Sequence, residues 1–307
     1  MEVITLNGQA ITPNVIAAIG FFDGVHLAHQ ILLKTVVDLG NKNNLKKAVI
    51  SFDVHPKTVL FGLDYQYITP LERKIEKFKQ FDIDVIYIIE FTKEKAQMLP
   101  EVFIDTYLKN IHTLVCGFDF RYGARASGTP ELLKEKAPFE TIVIHEQTYE
   151  GYKIGSTHIR DLIQSGLVDE VNSTLGTYYS IRGEVVQGQQ KGRLLGYPTA
   201  NIDTNDYLIP KQGVYASLTK VKGQWYYSVS SVGYNPTLNC KAALSVESHI
   251  FDFDQIIYGE IIETMFIQRL RDEAKFNSIE SLIAKIDEDS IEAKSIFKKY
   301  GFDLQSI

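Results

Sequence analysis

His26 and His29 stand three residues apart, directly after the run Ile19-Gly20-Phe21-Phe22-Asp23-Gly24-Val25. That run is where an apolar stretch ends and a helical pattern begins. Two imidazoles at this spacing share one face of a helix. The free N–H groups and positive dipole end of a helix start suit a polyphosphate. Gly24 supplies a backbone conformation that other residues resist. Zinc binding by the pair needs further ligands that the local sequence does not offer, and histidines bonded only to backbone are the plain alternative. Phe118-Asp119-Phe120-Arg121-Tyr122-Gly123 ends another apolar run. Gly155-Ser156-Thr157-His158-Ile159-Arg160 reads as a helix start with hydroxyl donors and a guanidinium, and Ser156 or Thr157 would serve there as N-cap.

A second stretch, residues 188–201, spaces Gly188, Gly192 and Gly196 by four. Such a loop turns tightly and aims N–H groups at phosphate oxygens, and Lys191 and Arg193 add charge. It is neither the P-loop nor the dinucleotide fingerprint, and glycines alone mark turns. Pro198-Thr199-Ala200-Asn201 says more. Proline fixes the start of an extended segment, and alternation turns Thr199 and Asn201 to one face and Ala200 to the other. A hydroxyl and an amide carbonyl side by side are hard oxygen ligands suited to Mg²⁺ carried with nucleotide phosphates. Two polar residues on the wet face of an edge strand would look the same.

The elements that must position these residues are of two kinds. In the first half, apolar runs at residues 15–22, 48–52, 85–91, 113–117 and 141–145 alternate with amphipathic stretches at 71–81 and 100–108. Runs apolar on both faces predict a parallel sheet covered by helices on both sides, a doubly wound α/β arrangement. Past Gly166, residues 178–187, 213–221, 224–232 and 243–253 read as strands, with a hairpin turn at Lys222-Gly223. Helical periodicity returns from Ser278 through Ile296. Strands followed by one helix predict a mainly antiparallel barrel with a C-terminal helix. A chain of 307 residues suits two domains of roughly 150 each, and polar, small residues at 167–177 place the junction, giving domains 1–170 and 176–307. A net charge of −6 leaves no basic footprint, so nucleic acid is not the expected partner. No apolar run approaches the roughly 20 residues of a membrane helix. With two cysteines in separate halves and no signal-like start, a reducing, cytoplasmic setting is expected. The oligomeric state is not legible.

The first set of residues resembles the nucleotidyltransferase superfamily, specifically the bacterial FAD synthetase domain, which carries G-x-F-D-G-V-H-x-G-H, G-x-D-F-x-F-G and S-S-T-x-I-R in this order. The match spans about 165 residues and includes Phe52-x-x-His55-Pro56. The resemblance implies that His26 and His29 hold ATP phosphates while adenylyl passes to FMN. It places Gly20, Phe22, Asp23, Gly24, Asp119, Ser156, Thr157 and Arg160 at the nucleotide, and His55 and Pro56 at the flavin. The chain departs from the pattern at Phe21, where Asn is usual, at Ala28, where Gly is usual, and at Gly155, where Ser is common.

The second set resembles riboflavin kinase, with its G-x-x-x-G-x-x-x-G-x-P-T-A-N. Further matches are Pro210-x-x-Gly213-Val214-Tyr215-Ala216, Gly233-x-x-Pro236-Thr237, Val246-Glu247-Ser248-His249, Tyr258-Gly259 and Arg271-Asp272-Glu273-x-Lys275-Phe276. This implies phosphoryl transfer from ATP to the riboflavin 5′-hydroxyl. Thr199 and Asn201 would hold Mg²⁺, Glu247 would accept the hydroxyl proton, and Arg271 and Phe276 would lie near the flavin. Gly188, Gly192, Arg193 and Gly196 would face the phosphates. A solvated strand carboxylate is the plain reading of Glu247, and Phe276 could equally be core. Three functions stay open at this point: an enzyme making both FMN and FAD, a riboflavin kinase with a weak or inactive adenylyltransferase domain, and a flavin- or nucleotide-sensing binding protein.

Overall fold

The computed structural model describes residues 1–188, 192, 195–235 and 243–304. It divides into two compact units, Met1–Ser156 and Thr157–Ile307.

The first unit holds a six-stranded sheet of β1 (Glu2–Leu6), β2 (Val15–Ile19), β3 (Lys46–Phe52), β4 (Val85–Ile89), β5 (Thr113–Gly117) and β6 (Glu140–Ile144). All neighbours pair in parallel, in the order β1-β4-β3-β2-β5-β6. Its helices are α1 (Leu27–Asn43), α2 (Pro56–Phe61), α3 (Leu71–Phe78), α4 (Pro100–Phe103, continued by π-helical Ile104–Leu108) and α5 (Pro130–Lys136). A two-residue-per-strand hairpin, β7 (Thr148–Tyr149) and β8 (Tyr152–Lys153), follows β6. Alternate residues of each central strand serve opposite layers. Ala17, Ile19, Ile50 and Tyr87 pack with Phe103, Tyr107 and Leu108. Ile16, Ala18, Val49 and Ile86 pack with Leu32, Leu33 and Val36 of α1 and Phe78 of α3. This double burial explains why the strands read as continuous apolar runs.

β1 is not anticipated by the sequence reading. It is an edge strand paired only with β4 and mostly exposed, so it lacks an apolar run. The chain winds from β2 through β3 to β4 on one side and returns to β5 and β6 on the other. The switch point therefore falls between β2 and β5, and ligands bind at the carboxyl ends of strands at such points.

The second unit begins within α6 (Ser156–Ser165), continues with α7 (Val168–Leu175) and closes with α8 (Ile279–Lys299). Between them β9 (Tyr179–Val186), β10 (Thr199–Ile202), β11 (Gly213–Val221), β12 (Gln224–Asn235), β13 (Ala243–Ile250) and β14 (Ile261–Arg271) form a closed antiparallel barrel in the order β10-β13-β12-β11-β14-β9. Lys222 and Gly223 both take positive φ, 49° and 89°, as a two-residue hairpin turn requires. Ser278 caps α8 in a reciprocal capping box with Ser281. Ala293, Ile296 and Phe297 of α8 cover Ala216, Leu218 and Ile267.

β14 was not foreseen either. Phe266 faces the interior while Met265 and Ile267 pack toward α8, so its apolar residues do not alternate cleanly. The compact units part between Ser156 and Thr157, upstream of the 167–177 junction expected from composition. α7 is tied to the barrel by Asn172, whose Nδ2 donates to the Phe266 carbonyl (3.1 Å) and whose Oδ1 accepts from Tyr179 N (2.7 Å). No helix among the described residues is long and apolar enough to cross a membrane.

Six fully buried hydroxyls line the barrel interior: Ser217, Thr219, Ser228, Ser230, Ser248 and Thr264. They bond in a closed cycle. Ser217 meets Ser228 (2.8 Å) and Ser230 (2.7 Å), Thr219 meets Ser228 (2.9 Å) and Thr264 (3.3 Å), and Ser248 meets Ser230 (2.7 Å) and Thr264 (3.0 Å). In a cycle every hydroxyl donates once and accepts once, so no donor is left over. Opening it strands one O–H without an acceptor in an apolar setting. Ser217→Ala is expected to destabilise the barrel by about 1–3 kcal/mol, measured by urea unfolding followed through Trp225, the chain's one tryptophan. A loss below a few tenths of a kcal/mol would show the cycle to be energetically idle.

Candidate active sites in the two units

The first site is built on the turn after β2. Phe22, Gly24 and Val25 take positive φ of 58°, 89° and 46°, a backbone that brings His26 to the N-cap of α1. The His26 Nδ1 accepts from His29 N at 3.3 Å, which assigns the ring proton to Nε2. The two imidazoles stack with centroids 3.6 Å apart and planes 15° apart. Burial lowers the His26 pKa to about 4, against an opposing pull from Asp119. Burial, then the neighbouring His26 and Lys74, holds His29 well below its ordinary value. The pair is therefore neutral at pH 7. His26 offers an N–H donor, and the buried His29 Nδ1 has no hydrogen-bond partner among the described residues.

The remaining expected residues occupy distinct places. Phe22 is fully buried, edge-on to His29 (5.0 Å) and Phe78 (5.5 Å), so only its backbone could meet a nucleotide. At Gly20 a Cβ would press on the Phe22 ring at 3.2 Å. Asp23 is buried as a strut. Its Oδ1 accepts from Thr69 N (2.9 Å), its Oδ2 from the Tyr65 hydroxyl (3.4 Å), and its carbonyl from the Ser156 hydroxyl (2.9 Å). Ser156 thus opens α6 while holding the Asp23 turn. Asp119 pairs with Lys153 at 2.6 Å in a half-exposed setting. Thr157 and Arg160 lie on α6 within the second unit. His55 caps α2 through Nδ1, which accepts from Lys57 N (3.1 Å), with Pro56 in the first turn. The His55 ring stacks on Tyr65 at 3.8 Å and 5°, and Phe21 meets its edge at 4.9 Å. Tyr65, Tyr67 and Lys74 were missed by sequence reasoning, being lone aromatics in a loop and a lysine on a short helix.

The second site rests on the pairing of β10 with β13. Asn201 stands opposite Glu247 and Thr199 opposite His249, all on one face. The Thr199 hydroxyl donates to Glu247 Oε2 at 3.2 Å. Burial raises the Glu247 carboxyl above its ordinary range, partly offset by that hydroxyl. Asn201 Oδ1 is buried and has no hydrogen-bond partner among the described residues. Gly188 lies flat on the Asn201 amide, where a Cβ would come within 2.6 Å of Cγ. The Gly192 carbonyl accepts from Leu195 N (3.0 Å) and Tyr197 N (2.9 Å), and Gly196 turns with φ 86°. His249 Nδ1 donates to the Pro198 carbonyl (2.9 Å), and the Tyr197 hydroxyl to Asp287 of α8 (2.7 Å). Arg193, with Lys191, Pro236 and Thr237, lies outside the described residues. A cavity of about 270 Å³ opens beside Thr199, Asn201, Phe253 and Tyr258.

Arg271 grips the buried Asp289 of α8 through Nε (2.9 Å) and Nη2 (2.7 Å), and Nη1 donates to the Asp272 carbonyl (2.9 Å). Its guanidinium lies 5.9 Å from the Phe276 ring centroid. The two residues thus form one unit anchored to α8. An orphaned buried carbonyl oxygen beside a hydroxyl and a carboxylate is a donor set that fits Mg²⁺.

A neutral imidazole donor pair at a switch point and hard oxygens beside a desolvated carboxylate both serve phosphorus chemistry, and the two scaffolds together are those of a two-part transferase. The chain matches the FAD synthetase family over residues 8–158 and the riboflavin kinase family over residues 175–297. It is 41% identical over 293 residues to the bifunctional riboflavin kinase/FMN adenylyltransferase of Listeria monocytogenes, covering 93% of each chain. It is 39% identical to the Bacillus subtilis protein of the same name, covering 92% of each. A crystal structure from Streptococcus pneumoniae, described as a macrolide-efflux protein, superposes with a TM-score of 0.88 at 31% identity, over 95% of this chain and 98% of the other. The chain belongs to the bifunctional riboflavin kinase/FMN adenylyltransferase family.

The histidine site makes stability depend on pH. Between about pH 6.5 and 4 the unfolded chain binds a proton at His26 that the folded chain refuses, so stability rises with pH through that window. The shift is worth about 3 kcal/mol at most. Far-UV circular dichroism across urea gradients should show the slope, flattened in His26→Gln. An equal slope in the variant would remove His26 as its source.

Proposed function

We infer that the chain phosphorylates riboflavin to FMN in the barrel unit and adenylylates FMN to FAD in the parallel-sheet unit, with ATP as co-substrate in both. The observation that carries the kinase half is the strand register that sets Thr199 and Asn201 beside Glu247. Thr199 Oγ1 and Asn201 Oδ1 would hold Mg²⁺, which when bound would neutralise phosphate charge. Glu247 accepts the proton of the riboflavin 5′-hydroxyl, and its raised pKa makes it a better base than an exposed carboxylate. The Thr199 hydroxyl keeps that carboxylate oriented. Gly188, Gly192, Gly196 and Arg193 hold ATP phosphates, and Arg271 with Phe276 borders the flavin.

In the other unit no covalent intermediate is needed, and catalysis is positioning plus charge stabilisation. His26 Nε2–H donates to a phosphate oxygen, and His29 stacks behind it. Backbone N–H groups around Phe22, Asp23 and Gly24 complete the cradle, while Gly20 N is held by the Ile50 carbonyl (3.1 Å) and Ser156 braces the turn. Asp119, Thr157 and Arg160 are assigned to the nucleotide, and His55 and Pro56 to the flavin, on the strength of the motif. A riboflavin kinase with slow adenylyl transfer is the second reading, favoured by Phe21, whose ring fills the place of an amide between His55 and Lys74. The two cysteines in separate halves, too few for a disulfide framework, suit a cytoplasmic setting.

Incubation with Mg²⁺, ATP and either riboflavin or FMN, followed by chromatography, separates these readings. Glu247→Gln should abolish FMN formation and leave FAD formation from supplied FMN intact; survival of both activities would remove Glu247 as base. Gly188→Ala, whose methyl lands on the Asn201 amide, should raise the Mg²⁺ concentration for half-maximal FMN formation several-fold. An unchanged Mg²⁺ titration would mean that Asn201 does not hold the ion.

A further inference from the structure

We propose that Lys74 is a positioning residue for adenylyl transfer, its ammonium fixing the backbone turn that carries His26 and His29. The proposal rests on the reading of the first site as the adenylyltransferase centre.

Lys74 belongs to the buried face of α3, and the two residues that helix buries are Lys74 and Phe78. Both reach the same turn. Phe78 packs against the Phe22 ring at 5.5 Å, while Lys74 Nζ donates to the Phe21 carbonyl at 2.9 Å and lies 4.1 Å from the Phe21 ring centroid. Two consecutive residues of the turn are thus clamped from one helix. The turn needs clamping. Phe22 and Val25 are held in the left-handed region that side chains, and β-branched ones above all, resist. Such strain persists where the surroundings over-determine it, and it clusters at functional sites. Ser51 adds a second hydrogen bond to the Phe21 carbonyl (3.3 Å), and Gln30 Nε2 holds the Val25 carbonyl (3.1 Å).

A lysine with 1% of its surface exposed is a poor choice for packing alone. Burying an ammonium is costly, and a methionine of similar volume would fill the space without that cost. The ammonium is compensated by Asp23 from the turn and Asp53 just beyond β3, and it sits near His29 of α1. His55 lies across the Phe21 ring from it. The balance among these groups favours burial, which draws the Lys74 pKa down to about 8. The charge that holds the turn is therefore lost on the alkaline side of neutrality. The same charge discourages protonation of His29, so one group both shapes the turn and keeps its imidazole neutral.

The test compares the full chain with Lys74→Met and Lys74→Arg, following FAD formation from FMN and FMN formation from riboflavin against pH. The expected result is roughly a tenfold or greater fall in kcat for FAD formation in Lys74→Met, with the KM for FMN little changed and FMN formation unaffected. Lys74→Arg should restore activity and lose the alkaline decline expected of the wild type near pH 8, because a guanidinium stays charged there. Wild-type FAD formation and pH profile in Lys74→Met would overturn the proposal. Should that variant fail to fold, an alkaline decline identical in Lys74→Arg and wild type would overturn it equally. A wild-type chain that forms FMN but no FAD at any pH would overturn the adenylyl-transfer reading itself, and the role of Lys74 with it.

Discussion

The second unit depends on one pairing, that of β10 with β13. Side chains alternate across a strand, so a slip of one residue would send Thr199 and Asn201 into the barrel and Ala200 out. The register that sets Asn201 opposite Glu247 is fixed from the inside, where Ile202 and Val246 are opposed in the core and Ser248 is bound into the hydroxyl cycle. Barrel closure then adds β9 on the other edge of β10, with Val186 opposite Asn201. The relative placement of Thr199, Asn201 and Glu247 on the outer face is thus set by interior side chains.

The first unit solves a similar problem with charge and strain in place of register. A parallel strand delivers the chain to the switch point, but the turn after β2 must bend through three positive φ angles before α1 begins. Asp23, buried and bonded to Thr69, and the Phe21 carbonyl, bonded from Ser51 and α3, hold it there. His26 then closes the arrangement by capping the helix with the same ring proposed to meet a phosphate. Using one imidazole for both tasks fixes its tautomer, which a histidine on a plain helix face would leave open.

Much of this was legible in the sequence. Runs buried on both faces announced the parallel strands, and Pro198 with the alternation after it announced the extended segment that is β10. What escaped shares a physical origin. β1 and β14 are an edge strand and a strand covered on both faces over part of its length, so neither shows a clean period. Tyr65, Tyr67 and Lys74 reach the histidine site from loops and a short helix through tertiary packing, which no local pattern encodes. Asp23 and Phe22 were expected at the nucleotide by motif, and their side chains turn inward, Asp23 bonding Thr69 and Tyr65 and Phe22 packing on His29 and Phe78. The chain also carries its departure at Phe21 into a full set of partners, with Lys74 on its face and His55 at its edge. The aromatic ring is integrated rather than merely tolerated.

The hydroxyl cycle inside the barrel has a sense of rotation. All six protons can point clockwise or all anticlockwise, and passing from one sense to the other requires every hydroxyl to turn together. Its members come from β11, β12, β13 and β14, so four strands share a single two-valued proton arrangement. Drift at any one position is consequently felt by the other five, and replacements should accumulate as compensating sets rather than singly. In evolutionary terms the interior behaves as one heritable character distributed over six codons.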